Sequence, residues 1–256
     1  MTDFLQRLWC LFFLSAAASP AMAMTKDDYQ AALEHWSTVL ASYVDEQGRI
    51  DFISLAKKPE PLRAYVDAIA RMSPTSHPGL FTTQAEVLAY HLNAYNALAM
   101  WGVIERDIPS GFDSFFKRLR FFKLRTVVVG NESTSLYDYE NDVILALNEP
   151  RVHFALNCMV KDCPRLPQQP FQAAVLEQQL TDLTQAFFNK AKHLRCDHGQ
   201  RVAYVSEILD FYTEDFVASG KQQDLLAYIN HYRAKRIPAD YRVKFIDYDW
   251  TINQQP

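Results

Sequence analysis

The stretch from Thr83 to Val103 constrains the fold more than any other part of the chain. Thr83 and Glu86 form a capping-box pattern, and beyond them Val87, Leu88, Leu92, Leu98, Met100, Trp101 and Val103 put apolar side chains on nearly every side of a helix. A helix without a solvent face has to be wrapped by other elements. Two residues break its apolar character. Asn93 and Asn96 stand three apart and so are neighbours on one face. A buried amide without a partner costs about 1–3 kcal/mol, so the pair either braces a neighbouring loop or faces a binding or catalytic cleft.

Other periodic segments supply the wrapping. Thr25 with Asp28 opens a helix carrying Tyr29, Leu33, Trp36, Leu40 and Tyr43, and Leu62, Tyr65, Val66, Ile69 and Met72 mark a second. The run from Phe121 to Val129 predicts a strand entering a Gly130-Asn131 turn, followed by a short helix over 135–147. Val152, Phe154 and Leu156 alternate with His153, Ala155 and Asn157, which predicts a strand with Arg151, His153, Ala155 and Asn157 on one face. A helix through Phe171, Val175, Leu180, Leu183 and Phe187 follows, then a strand at 202–205, helices at 206–216 and 222–233, and a strand at 242–248. The fold class is α+β, with helices packed on a modest mixed or antiparallel sheet. The chain is 49% hydrophobic with 7 glycines and no Gly/Ser-rich linker or fixed repeat, so residues 24–256 read as a single domain.

Residues 1–23 read as a signal peptide: Arg7 precedes the apolar run Trp9 to Ser19, and Ala21-Met22-Ala23 suits signal peptidase. The run is too short before Pro20 for a spanning helix, which needs about 20 apolar residues, so no stable membrane span is expected after cleavage. The expected location is periplasmic or secreted. There the remaining cysteines, Cys158, Cys163 and Cys196, can form disulfides, and an odd count leaves at least one thiol unpaired within a monomer.

A net charge of -4 suggests no nucleic-acid partner. One basic cluster, Lys117, Arg118, Arg120, Lys123 and Arg125, is interleaved with Phe115, Phe116, Phe121 and Phe122. It reads as a solvated face beside buried rings, with an anionic polymer or membrane headgroups as the alternative. His193, Cys196 and His198 carry metal-ligating chemistry but pack too closely for common zinc spacings, so this segment reads as an exposed polar loop. No metal or other cofactor is expected.

His153 and the nearby Cys158 are the residues able to do acid/base and nucleophilic chemistry. Cys158 and Cys163 flank four residues and are close enough either to form a disulfide or to rest as two thiols. Asn93 or Asn96, His153 and Cys158 are expected to converge in one pocket, with Glu140 at its rim.

The motifs resemble a known family. His91-Leu92-Asn93-Ala94-Tyr95-Asn96-Ala97 is similar to the Asn-x-Tyr-Asn-Ala helix of the domain of unknown function 547 family, and His153 to Cys158 with Cys163-Pro164 resembles its strand and loop. Weaker matches are Tyr43-Val44 through Asp51-Phe52, Asp210-Phe211-Tyr212 with Asp215-Phe216, and Tyr248-Asp249-Trp250-Thr251-Ile252-Asn253. His91 stands where the family usually has Trp, and Asn141 where a His is expected after Glu140. The resemblance carries no established reaction. A buried central helix followed by a sheet bearing His153 is also similar to the order in papain-like and transglutaminase-like thiol enzymes, whose nucleophilic Cys opens that helix. No Cys stands there in this chain.

Two classes of function fit. One is a thiol-dependent hydrolase or acyl transferase using Cys158 and His153. The other is a non-catalytic envelope binding or interaction module for a small-molecule, peptide or envelope ligand.

Overall fold

The computed structural model describes residues 24–256, so the expected signal segment lies outside the described residues. Four helices open the domain: α1 (Lys26–Tyr43), α2 (Phe52–Lys57), α3 (Glu60–Arg71) and α4 (Gln84–Ile104). The capping boxes form at both expected starts. Thr25 and Thr83 each accept from the backbone N–H three residues on, and Asp28 and Glu86 reach back to the cap N–H. Every residue of α4 from Leu88 to Met100 is buried, as its all-round apolar pattern requires. Helix α3 packs against both α1 and α4.

The middle of the chain is made of short pieces: α5 (Phe115–Arg118), a wide π-type turn over Leu119–Lys123, strands β1 (Thr126–Val129) and β2 (Glu132–Ser135), α6 (Leu136–Asp138), and a second π-type turn over Tyr139–Ile144. The strand is therefore shorter than expected, because Phe121 to Leu124 lie in and just after the π-type turn. β1 and β2 form an antiparallel hairpin whose loop, Gly130 and Asn131, has φ of 60° and 70°. Two positive φ values twist the loop with the strands, and a Cβ on Gly130 would collide with Ser73.

Helix α7 (Leu176–Asn189) leads to a mixed three-stranded sheet in the order β3 (Leu194–Asp197), β4 (Val202–Ser206), β5 (Arg242–Ile246), with β3–β4 antiparallel and β4–β5 parallel. Between β4 and β5 come α8 (Ile208–Phe211), α9 (Thr213–Phe216) and α10 (Leu225–His231). The class is α+β.

Three local expectations are corrected. Residues 151–157 do not form a strand: Pro150–Phe154 is a 3-10 helix with Pro at its start and the Glu149 side chain accepting from Arg151 N–H. Residues 152–157 are all buried, so their alternation reflects packing on every side rather than a sheet face. The polar loop expected at 193–198 is instead β3, with His193 buried and stacked on Phe187 at 3.9 Å. In the basic cluster Phe121 is buried, but Phe115 and Phe116 are 64% and 77% exposed. The one-turn helix α5 leaves those two rings outside, and the π-type turn after it brings Phe121 onto Phe112 at 4.3 Å.

Buried apolar residues gather in two clusters. One surrounds α4, the other packs Phe154, Phe187 and Phe188 against β3–β5 and α8–α10, and Tyr248 touches both. The C-terminal segment then threads back over the first cluster, bridging Thr251 to Gly111, Ile252 to Val160 and Gln254 to Ile50. A Cβ on Gly111 would lie 2.5 Å from the Trp250 carbonyl oxygen, so only glycine allows this approach.

Candidate functional site

The two asparagines of α4 act as brackets. Asn93 Oδ1 accepts from Phe171 N–H at 2.9 Å and from Trp36 Nε1 at 3.2 Å, while its Nδ2 donates to the Phe171 carbonyl at 2.9 Å. Asn96 Oδ1 accepts from Asn157 N–H at 2.7 Å and its Nδ2 donates to the Ala155 carbonyl at 3.0 Å. Asn157 continues the chain of amides, accepting from Met159 N–H at 2.7 Å and donating to the Pro164 carbonyl at 2.6 Å. The loop over 155–164, which has no regular ladder of its own, is thereby held to α4.

That loop carries Cys158 and Cys163, joined as a disulfide with Cα atoms 6.1 Å apart. The C-terminal segment grips it from outside, through Lys161 N–H to the Thr251 carbonyl at 2.8 Å and Asn253 N–H to the Met159 carbonyl at 3.0 Å. Tyr248 on that segment brings its hydroxyl to 3.5 Å from Cys158 Sγ.

Beside the disulfide opens a cleft of about 580 Å³. Its walls are Phe115, Leu119, Phe122, Leu156, Ile208, Phe211 and Trp250, and the polar groups lining it are Tyr95, Glu140, His153, Tyr212, Tyr248, Arg118 and Lys123. Glu140 sits at the start of the second π-type turn, an irregularity that often re-aims a functional side chain. Its two carboxyl oxygens accept from Tyr95 and Tyr212, both at 2.7 Å. Burial first, and then the adjacent Glu140 carboxylate, push both tyrosines well above the usual phenol range, so each remains a neutral donor. Burial likewise holds the Tyr248 hydroxyl neutral.

His153 Nε2 lies 2.8 Å from Asp215 Oδ2, and its ring stacks on Tyr212 at 4.0 Å and meets Phe216 edge-on. Asp215 and Tyr212 come from α8–α9 and the residue between them, about sixty positions along the chain from His153. On the cleft wall Arg118 stacks its guanidinium 4.7 Å over the Trp250 ring and donates to the Phe112 carbonyl at 3.1 Å. Lys123 pairs with Asp138 and lies 4.6 Å over the Tyr137 ring.

Of the residues expected to converge, Glu140, His153 and Cys158 line this one cleft. Asn93 and Asn96 do not; they hold the backbone behind it. Tyr95, Tyr212, Asp215 and Tyr248 carry no signal of a role in the sequence beyond standing in the quoted motifs, save that a buried Tyr hydroxyl such as that of Tyr95 needs a partner. His91 is buried with Nδ1 2.7 Å from the Tyr139 hydroxyl, and Asn141 donates to the Tyr137 carbonyl at 2.8 Å. Among the described residues no group of three or more His, Cys, Asp or Glu side chains is placed to hold a metal ion, and no helix is long and apolar enough to cross a membrane.

Fold and site together define an α+β domain with an aromatic-walled cleft over a floor of paired polar groups. Residues 80–188 match the model of the family described as "Protein of unknown function, DUF547". The matched segment contains Asn93, Asn96, Glu140, His153, Cys158 and Cys163, whereas Tyr212, Asp215 and Tyr248 lie beyond it. Comparison with curated proteins returned no match, and comparison with solved structures returned none.

Proposed function

We propose that the domain binds an apolar or amphiphilic small molecule in this cleft without turning it over. The contrast between walls and floor carries the reading. The walls are aromatic and aliphatic, while Glu140 is engaged by two tyrosines, His153 by Asp215 and Cys158 by Cys163. A cleft of several hundred Å³ with apolar walls and a few converging polar groups is the common form of a small-molecule site. Arg118 and Lys123 on the lining suit an anionic head group. A single domain beginning near residue 24 and working in the periplasm or outside the cell is part of the same proposal. It is supported by the Arg7, apolar and Ala21-Met22-Ala23 sequence and by the disulfide, which persists in oxidising compartments.

A second reading, a thiol-dependent hydrolase or acyl transferase, is favoured by Cys158 sharing the cleft with His153. Reduction by a dithiol would free Cys158. Its thiolate would add to an acyl carbon and expel the leaving group with a proton from His153, and water or a second acceptor would then resolve the thioester.

Fluorescence titration of the oxidised protein with an anionic naphthalene sulfonate separates the two. Saturable binding is expected, weakened on the order of tenfold in Phe211→Ala, whose ring is half-exposed on the cleft wall. Absence of such binding, together with thioester hydrolysis that appears on reduction and disappears in Cys158→Ser, would replace the binding reading with the enzymatic one.

A further inference from the structure

The wall of the cleft formed by α5 and the turn after it continues onto an outer face that only partly lines the cleft. Phe115 and Phe116 are 64% and 77% exposed with their rings edge-to-face at 5.7 Å, and Leu124 and Tyr137 are 67% and 50% exposed. Single exposed apolar side chains are ordinary on a protein surface, but adjacent exposed phenylalanines framed by cations mark an interaction site.

The charge on this face is positive although the whole chain carries -4. Lys117, Lys123 and Arg125 pair with Asp113, Asp138 and Glu105 respectively. Arg118 and Arg120 form no salt bridge among the described residues, so that, even with Asp113 acting on Arg118 and Asp142 on Lys123, basic groups outnumber acidic ones on this face. Asp113 is 74% exposed, so its pair with Lys117 is readily exchanged for an external anion.

We infer that this face docks the domain on an anionic lipid surface, with the mouth of the cleft turned toward it. Phenylalanine rings settle at the boundary between headgroups and acyl chains while neighbouring Lys and Arg meet phosphates, and this combination binds anionic bilayers reversibly. A nucleic acid would be met chiefly through charge, whereas the most exposed side chains here are apolar. Phe115, Arg118, Lys123 and Tyr137 belong to both the face and the cleft lining, so an amphiphile can pass between bilayer and cleft without crossing water. That passage rests on the cleft-binding reading; the docking stands on the exposed rings and the unpaired arginines.

Phe116 and Arg120 belong to the face but do not line the cleft, so variants at these positions separate docking from ligand binding. The protein is sedimented with vesicles of phosphatidylcholine alone and of phosphatidylcholine mixed with phosphatidylglycerol. Binding to the mixed vesicles only is expected, with loss at high salt. Arg120→Gln should weaken partitioning about fivefold and Phe116→Ser on the order of tenfold. Both variants should keep the circular dichroism spectrum and the naphthalene-sulfonate affinity of the parent. Failure of that dye to bind the parent would refute the cleft reading and leave the docking standing if the vesicle results hold. Equal binding to both kinds of vesicle, or binding unchanged in both variants, would place any attachment elsewhere and overturn the inference. So would retention on RNA, or a dimer in sedimentation velocity, that these substitutions abolish while vesicles are not bound.

Discussion

Replacing Asn96 by Leu adds apolar surface to an already buried helix, yet the structure requires it to destabilise the protein. Asn96 is 1% exposed and serves two backbone groups, the Asn157 N–H at 2.7 Å and the Ala155 carbonyl at 3.0 Å. Leucine leaves both without a partner in a segment that has no strand or helix ladder to replace it. Each stranded group costs about 1–3 kcal/mol, a sum of about 2–6. Burying a leucine side chain returns about 1.5–3 kcal/mol where it fits, so a net loss of about 1–3 kcal/mol is expected. Against a total stability of about 5–15 kcal/mol, that moves a urea midpoint clearly. Asn93→Leu should cost at least as much through a different loop, since it strands the Phe171 N–H and carbonyl and the Trp36 Nε1–H, and because the two asparagines are neighbours on one face of α4 the double variant should depart from simple additivity. An unchanged or raised midpoint for Asn96→Leu would refute the bracket argument. It would also detach the loop over 155–164 from any dependence on α4.

Two further outcomes can be checked directly. Tryptic digestion of unreduced protein should yield peptides 152–161 and 162–165 joined through Cys158 and Cys163, since trypsin cuts after Arg151, Lys161 and Arg165. Cys158→Ser should lower stability by about 2 kcal/mol on the loop-entropy account, and recovery of the two peptides unlinked would remove the disulfide from the native protein. Burial lowers the pKa of His91 from 6.5 to about 4, so the unfolded chain takes up a proton that the folded one resists. The stabilising contribution is full above pH 6.5 and is lost as pH falls toward 4; urea midpoints should decline across that window, and less steeply in His91→Gln. Identical slopes for parent and variant would show that His91 does not govern the decline.

The local pattern of residues was sufficient for the elements whose signal is written along one stretch of chain. The capping boxes at Thr25 and Thr83, the all-round burial of α4, the Gly130-Asn131 turn and the strands β4 and β5 depend on periodicity, cap chemistry and glycine geometry, which neighbouring residues determine. The same reasoning made Glu140, His153 and Cys158 candidates, because few side chains carry their chemistry. It misread residues 151–157, where apolar alternation that arises from packing on every side imitates a strand. It also could not decide which amides face a cleft and which close a core, since Asn93 and Asn96 look alike in either place. Only the tertiary structure settled those points. Asp215 reaches His153 from 62 residues away and Tyr212 reaches Glu140 from 72, and Asn96 meets its loop partners across about sixty residues of chain. Such pairings follow from how α4, the loop over 155–164 and α8–α9 pack together, and no period in the sequence encodes that packing.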